Sequence, residues 1–439
     1  MKNWEKKKLG DICGFVRGPF GGSLKKNIFK PEGYAVYEQQ HAIYDQFDDI
    51  RYFIDENKFN EMKRFELNSG DLIMSCSGTM GKIAIVPENI KKGIINQALL
   101  KLTPSKKIST VFLKLWMQSE SFQESLKEYS GGAAIQNVAS VAILKQIEIP
   151  LPPLPEQQRI VSILDEAFAA IAKAKANAEQ NLKNAKELFE SYLQGVFEKK
   201  GEGWEECNLE DNIKLIDYRG RTPQKTENGV RLITAKNVKL GFLQLEPQEF
   251  IAEDNYDSWM TRGIPIVGDV IFTTEAPLAN VAQIESDEKL AFAQRIIVMQ
   301  PNRKKLNPTF LKYMLLSTPI RNKILGKGTG ATVVGIKSSL LKKIPITFPK
   351  SIDEQQTIVR QLDALRAETQ KLEAVYQKKI ADLEELKKSI LQKAFAGELR
   401  SPEGPAYDSE AATPLADDND GHSPSDKKKK SITSPEGVK

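Results

Sequence analysis

One offset organises this chain. Glu156-Gln157-Gln158 recurs 198 residues later as Glu354-Gln355-Gln356, and the same shift carries Ile160 onto Ile358, Leu164 onto Leu362, Asp165 onto Asp363 and Phe197 onto Phe395. Upstream, Gly70-Asp71 becomes Gly268-Asp269 and Phe112-Leu113-Lys114 becomes Phe310-Leu311-Lys312, while Trp4 and Trp204 open the two halves. A period of this length is far beyond the roughly 20–50 residues of a solenoid repeat. It implies two copies of one domain-plus-helix unit and therefore a pseudo-twofold molecule. With 439 residues, 40% of them hydrophobic, the chain has enough material for two or three cored domains.

Each half reads as a mixed α/β (α+β) module followed by one long helix. Asp71–Ser75 and Lys82–Val86 are apolar runs around Ser77-Gly78-Thr79-Met80-Gly81, which predicts strand–turn–strand; Asp269–Thr273 and Val281–Ile284 flank Glu275-Ala276-Pro277 in the corresponding place. Phe112–Leu126 and Phe310–Leu325 are predicted as single amphipathic helices. Proline-bearing stretches, Pro150–Pro155 and Pro345–Pro349, form stiff exits from the modules. Pro155 suits a first helical turn and Asp353 an N-cap. Beyond them, Ile160, Leu164, Ala167, Ile171, Ala174 and Ala178, continuing through Leu182, Ala185, Leu188, Tyr192 and Val196, step as a coiled-coil seam. The seam Ile358, Leu362, Leu365, Thr369, Leu372, Tyr376, Ile380, Leu383, Leu386, Ile390 and Ala394 is its bulkier counterpart, so the two helices are expected to pair with each other, each a strut of roughly 65 Å. The predicted divisions are a first module 1–154, a helix 155–199, a second module 200–352, a helix 353–398 and a disordered tail 399–439 rich in Pro, Ser, Asp and Gly.

Charge and missing chemistry narrow the function. The net charge of +5 divides as +4 over 1–150, −1 over 151–199, +5 over 200–350 and −3 over 351–439, so positive excess sits on the two globular modules, which suits two modules that each touch a polyanion. His41 and His422 are the only histidines, which leaves no basis for a histidine metal site or triad. Gly78-Thr79-Met80-Gly81-Lys82 lacks the spacing of a phosphate loop and reads as a turn; Pro152-Pro153 lies between leucines and supplies no amide or carboxylate of the kind an adenine-methyltransferase motif needs. Cys13, Cys76 and Cys207 are too few for a disulfide framework and are expected to be reduced thiols. With no apolar run of membrane-spanning length and no signal-like start, a cytoplasmic location is expected, without membrane partners, metal or cofactor.

At this point the motifs take on a family look. Ile147 to Val161, with its Pro-Leu-Pro-Pro-Leu-Pro-Glu-Gln-Gln core, closely resembles the entry to the spacer helix of type I restriction–modification specificity subunits. Ser69-Gly70-Asp71-Leu72 with Ser77–Lys82, Asn96-Gln97, Gly131–Asn137 ahead of Leu144, and Tyr218-Arg219-Gly220-Arg221-Thr222-Pro223 are similar too, and the resemblance covers about residues 1–399. In the second half, Ser351-Ile352-Asp353 replaces the Pro-Leu-Pro entry and Glu275-Ala276-Pro277 replaces the glycine turn. The resemblance implies a non-catalytic subunit whose two target-recognition domains each read half of a split double-stranded DNA site, held apart by two antiparallel helices. It also implies docking of two methyltransferase subunits, which carry S-adenosylmethionine, and of ATP-driven restriction subunits through the complex. Glu156, Gln157, Gln158, Glu354, Gln355 and Gln356, which mark the helix entries, are the candidate partner-binding residues.

Candidate DNA contacts are cations and amides near glycines or turns, since Lys and Arg neutralise phosphates while Arg, Lys, Asn and Gln read base edges. In the first module these are Arg17, Lys25, Lys26, Gln39, Gln40, Thr79 and Lys82. In the second they are Arg219, Arg221, Thr222, Lys225, Lys236 and Asn237, with Lys327 and Thr329 in the Gly326–Gly330 loop. Arg219-Gly220-Arg221-Thr222 is the densest cluster. Two rivals stand beside this reading: a self-contained nuclease or methyltransferase, for which no cofactor motif is found, and a coiled-coil scaffold with protein-binding globular ends.

Overall fold

The structure, a computed structural model, describes residues 4–128, 140–218, 222–330 and 333–399. The first module contains β1 (Lys6–Lys8), β2 (Cys13–Arg17), β3 (Tyr34–Tyr37), β4 (Phe53–Ile54), β5 (Leu72–Ser75), β6 (Ile83–Ile85), β7 (Gly93–Ile95), β8 (Leu99–Pro104) and β9 (Glu148–Pro150). The second repeats the series as β10 (Trp204–Asn208), β11 (Ile213–Asp217), β12 (Val230–Ile233), β13 (Phe250–Ile251), β14 (Val270–Thr273), β15 (Val281–Gln283), β16 (Leu290–Phe292), β17 (Ile296–Pro301) and β18 (Pro345–Pro349). The sheets repeat as well. Orders β2-β8-β5-β6, β4-β3-β7 and β1-β9 become β11-β17-β14-β15, β13-β12-β16 and β10-β18. In both modules one pair, β3 with β7 and β12 with β16, is parallel amid antiparallel neighbours. The strands on either side of both expected turns, β5–β6 and β14–β15, form antiparallel pairs.

Strands such as Leu72–Ser75 and Val270–Thr273 are buried at every position, as four-residue apolar runs covered on both faces must be. The acidic residue of each Gly-Asp pair is buried just before them. Asp71 accepts from the Asn68 amide (2.9 Å) and the Thr103 hydroxyl (2.6 Å); Asp269 accepts from the Ile266 amide (3.0 Å), Gln300 (2.6 Å) and Arg303 (3.1 Å). A buried carboxylate persists only when so partnered.

The predicted single helices over 112–126 and 310–325 are each two. Thr110–Met117 is followed by Glu120–Glu128, and Pro308–Leu316 by Thr318–Leu325. The break falls on Ser119 and Ser317, again 198 apart, whose buried hydroxyls donate to the carbonyls of Trp116 and Met314 at 2.6 Å. Such back-bonding gives the backbone an alternative to the helix, and Ser317 itself is extended, as a residue shortly before Pro319 permits.

The long helices run Leu154–Glu198 and Ile352–Phe395. Pro155 sits in the first turn as expected; the second helix is capped by Ser351, whose hydroxyl accepts from the Glu354 amide (3.4 Å), rather than by Asp353. They pack antiparallel: Lys175 pairs with Glu384 and the Tyr192 hydroxyl donates to Gln361 (3.3 Å). Buried positions Leu164, Ile171, Ala178 and Ala185 step by seven, and the alanines let the backbones approach. Leu188, Tyr192, Leu372 and Leu386, expected in the seam, are instead exposed. A straight helix rotates about 20° per heptad away from a seven-residue repeat, and a two-helix ribbon covers only one stripe.

Each module's core is closed by both helices. Ile160 and Leu164 of the first helix join Leu391, Ala394 and Phe395 of the second in the core of the first module; Leu193 and Phe197 join Val359 and Leu362 in that of the second. Phe395 meets Phe112 edge-on at 5.2 Å between ring centres, and Phe197 meets Phe310 at 5.3 Å. Since the repeat carries Phe112 onto Phe310 and Phe197 onto Phe395, each half plugs the other.

Candidate nucleic-acid interface

In each module the strands deliver their connecting segments to one end. β2 ends at Arg17, and the following Gly18 donates to the Leu99 carbonyl (2.9 Å) so closely beside Asn96 that a Cβ there would lie 1.8 Å from the Asn96 oxygen. The Asn96 amide donates to Tyr37 at the end of β3, and the Cys76 amide, just past β5, donates to Ala98. Ser75 closes the β5–β6 turn, its hydroxyl donating to the Thr79 carbonyl (2.6 Å) and accepting from the Lys82 amide (3.0 Å). Arg17, Gln39, Gln40, Thr79 and Lys82, which are far apart in sequence, therefore share one mouth, together with exposed Gln97. The positive Arg17 acts on the Cys76 thiol, whose burial nonetheless pushes it up to about 12.

The other first-module candidates differ in freedom. Lys25 and Lys26 are exposed on a one-turn segment anchored by Leu24, Ile28 and Phe29. Gln40 donates to the Asp49 carbonyl at 3.1 Å, whereas the Gln39 side-chain oxygen is buried without a hydrogen-bond partner.

The second mouth is built the same way. The Ala293 amide donates to Ile233 at the end of β12, Thr274 just past β14 donates to the Arg295 carbonyl (2.9 Å), and Ile336 donates to Thr274 (3.0 Å). Thr329 exchanges backbone hydrogen bonds with Gly335, which brings Lys327 and Thr329 to this rim, both exposed. A cavity of about 320 Å³ opens here between Thr274, Glu275, Gln294, Arg295, Thr329 and Lys337. Thr222 and Lys236 are exposed, and Lys225 is tied to Glu249 at 2.7 Å. Arg219 and Arg221 lie outside the described residues.

Two groups of expected contacts are corrected by burial. Asn237 is inside: its carbonyl accepts from the Thr234 amide and hydroxyl (3.0 and 2.8 Å) and its amide donates to Gln244 and Pro247 (both 3.1 Å). Its hydrogen-bonding capacity is spent on its own loop. Gln157 and Gln355 are likewise fully buried. Gln157 accepts from the Ser109 amide (2.8 Å) and donates to Lys107 and Pro152; Gln355 accepts from Asn307 (2.8 Å) and donates to Lys305 and Pro349. These side chains lock each long helix to its module instead of facing a partner. Glu156 pairs with Arg159 (2.7 Å), Glu354 accepts from the Trp204 ring nitrogen (3.2 Å), and only Gln158 and Gln356 of the two triplets are exposed without such ties.

Sequence reasoning missed Glu275, Gln294, Arg295 and Lys337. A signal was present, because Gln294-Arg295-Ile296 leads into β17 as Gln97-Ala98-Leu99 leads into β8. Among the described residues no cluster of three or more His, Cys, Asp or Glu side chains is placed to hold a metal ion, and no helix is long and apolar enough to cross a membrane.

Comparison with known proteins adds identity to this geometry. The type I restriction enzyme MjaVIII specificity subunit of Methanocaldococcus jannaschii is 24% identical over 422 residues, covering 91% of this chain and 93% of that protein. The EcoKI specificity subunit of Escherichia coli is 25% identical over 317 residues, 68% of this chain and 67% of that one. Among solved structures, a chain from a type I R-M system described for its assembly and conformational transition superposes with TM-score 0.70 at 18% identity, covering 90% of this chain and 98% of its own length. The HsdS subunit from Thermoanaerobacter tengcongensis gives 0.58 at 18% identity, over 90% and 97%. The family described as type I restriction modification DNA specificity domain matches twice, over residues 1–183 and 201–382, and so spans both modules and most of each long helix: this chain belongs to that family.

Proposed function

We propose that this chain is the DNA-reading, non-catalytic specificity subunit of a cytoplasmic type I restriction–modification complex. Each module reads one half of a split double-stranded target, and the paired helices fix the gap between the halves. The carrying observation is the repeated mouth: the same strand ends, 198 residues apart, present cations and amides at either end of a strut of fixed length. At 1.5 Å per residue the helices are about 65 Å long, and half-sites on one face of a duplex recur at about 34–36 Å.

The same symmetry supports docking of two methyltransferase subunits, with restriction subunits joining through the assembly. Leu188 and Leu386, equivalent under the repeat, are 51% and 46% exposed on the strut, one on each helix. Large exposed aliphatics at symmetry-related points are what two copies of one partner require.

Methylation mapping of host DNA with and without the gene tests the reading. The expected outcome is a bipartite motif with a fixed gap that loses its methyl-adenines on deletion; an unchanged pattern, together with no salt-sensitive duplex binding by the purified chain, returns the protein to the scaffold reading.

A further inference from the structure

The two mouths share their strand ends but not their chemistry, and the difference is sharpest where Arg295 stands in the second and Ala98 in the first, the residues whose carbonyls accept from the Thr274 and Cys76 amides. Arg295 holds φ +76°, a left-handed conformation that a long side chain adopts at a cost. Its carbonyl is fixed by the Thr274 amide at 2.9 Å, and its Nε pairs with Glu275 at 2.8 Å. Glu275 is itself held between the Thr274–Pro277 turn and Gly335, where an added Cβ would come within 3.1 Å of the Glu275 Cβ. Next to the pair, the Thr274 hydroxyl, on a residue only 2% exposed, has no hydrogen-bond partner although it lines the 320 Å³ cavity. A strained arginine, a fixed carboxylate and an orphaned hydroxyl around one opening are a site waiting for a polar ligand.

We infer that this cavity reads a guanine, and that Arg295 sets the corresponding base of the second half-site. The inference rests on the DNA-reading function proposed above. With Nε engaged by Glu275, the two terminal nitrogens of Arg295 are left as a planar fork matched to guanine O6 and N7. The carboxylate argues against a plain phosphate contact, because a neutralised pair gains little from the backbone and Glu275 would face phosphate repulsion. On a base pair it fits, since a carboxylate accepts from the cytosine amino group of the same pair. In the first module the equivalent positions carry Ala98 and Ser77 in place of Arg295 and Glu275, so the arginine–carboxylate pair belongs to the second module alone.

The test uses the full chain assembled with its methyltransferase subunits, with methylated motifs read by single-molecule sequencing and duplex binding read by anisotropy. In Arg295→Ala the requirement for G at one position of the second half-site should relax by about 10- to 100-fold while the first half-site is untouched. Arg295→Gln should shift that position from G toward A, and Glu275→Ala should weaken the preference for G. Arg295→Gly, whose backbone suits φ +76°, controls for folding. An unchanged motif in Arg295→Ala, a second half-site without G, or a change in the first half-site overturns the inference while leaving the specificity-subunit reading intact. If the variant complexes are inactive, equal losses by Arg295→Gln on G- and A-bearing duplexes overturn it too. Absence of any bipartite motif for the wild-type complex defeats the underlying reading instead.

Discussion

Gln157 and Gln355 show how a polar residue can be a buried tie. Each side chain satisfies a backbone amide and two carbonyls at the junction of module and strut. Replacing Gln355 by Ala strands those groups in a dry site, and urea unfolding should register a loss of about 2–4 kcal/mol. The exposed neighbour Gln356 should tolerate the same change within about 0.5 kcal/mol. The thiols differ in the same way. Cys13 and Cys76 are buried and pushed up to about 12 by desolvation, so both stay protonated at pH 8, whereas Cys207 is half-buried. A maleimide or disulfide reagent should label Cys207 in the native protein and reach the other two only after denaturation. The sequence made the glutamine triplets visible as a repeat, but a side chain's letter does not report its burial, and so Gln157, Gln355 and Asn237 read as surface groups. Arg295 escaped notice for the opposite reason, since a lone arginine before an apolar strand carries no local sign that Glu275 and Gly335 will be folded against it.

At the scale of elements, the offset made the pseudo-twofold plan legible, because matching residues such as Phe112 and Phe310 must occupy matching environments. What it left out was competition within an element. Ser119 and Ser317 sit in otherwise helical patterns, and only the capture of the Trp116 and Met314 carbonyls by their hydroxyls explains the breaks. The seam pattern holds at Leu164, Ile171, Ala178 and Ala185 but fails at Leu188, Tyr192, Leu372 and Leu386, where the pitch of a straight helix carries side chains off the contact line. The strut also makes a geometric claim. Inserting one heptad into each long helix near its middle adds about 10 Å, or about three base pairs at 3.4 Å each. The gap in the methylated motif should lengthen accordingly with both half-sites unchanged.

For the whole molecule, two basic modules on one rigid frame make duplex binding a polyelectrolyte problem. Affinity of the assembled complex for its target should fall steeply and log-linearly with salt, which titrations between 50 and 200 mM would reveal. In the proposed assembly, partner docking is separable from DNA reading. Leu386→Glu should leave one of the two methyltransferase sites empty, and Leu188→Glu the other, so that native mass spectrometry finds one bound copy for each single variant and none for the double.

The exchanged phenylalanines bear on how such a chain is made. Phe395, the plug of the first module, is among the last described residues to leave the ribosome, so the part synthesised first is the part sealed last. At 5–20 residues per second the interval is on the order of tens of seconds. Throughout it the nascent first module stands open around Phe112, dependent on chaperones or on speed. Any message truncated before the second helix therefore yields a product whose own core advertises that it is incomplete.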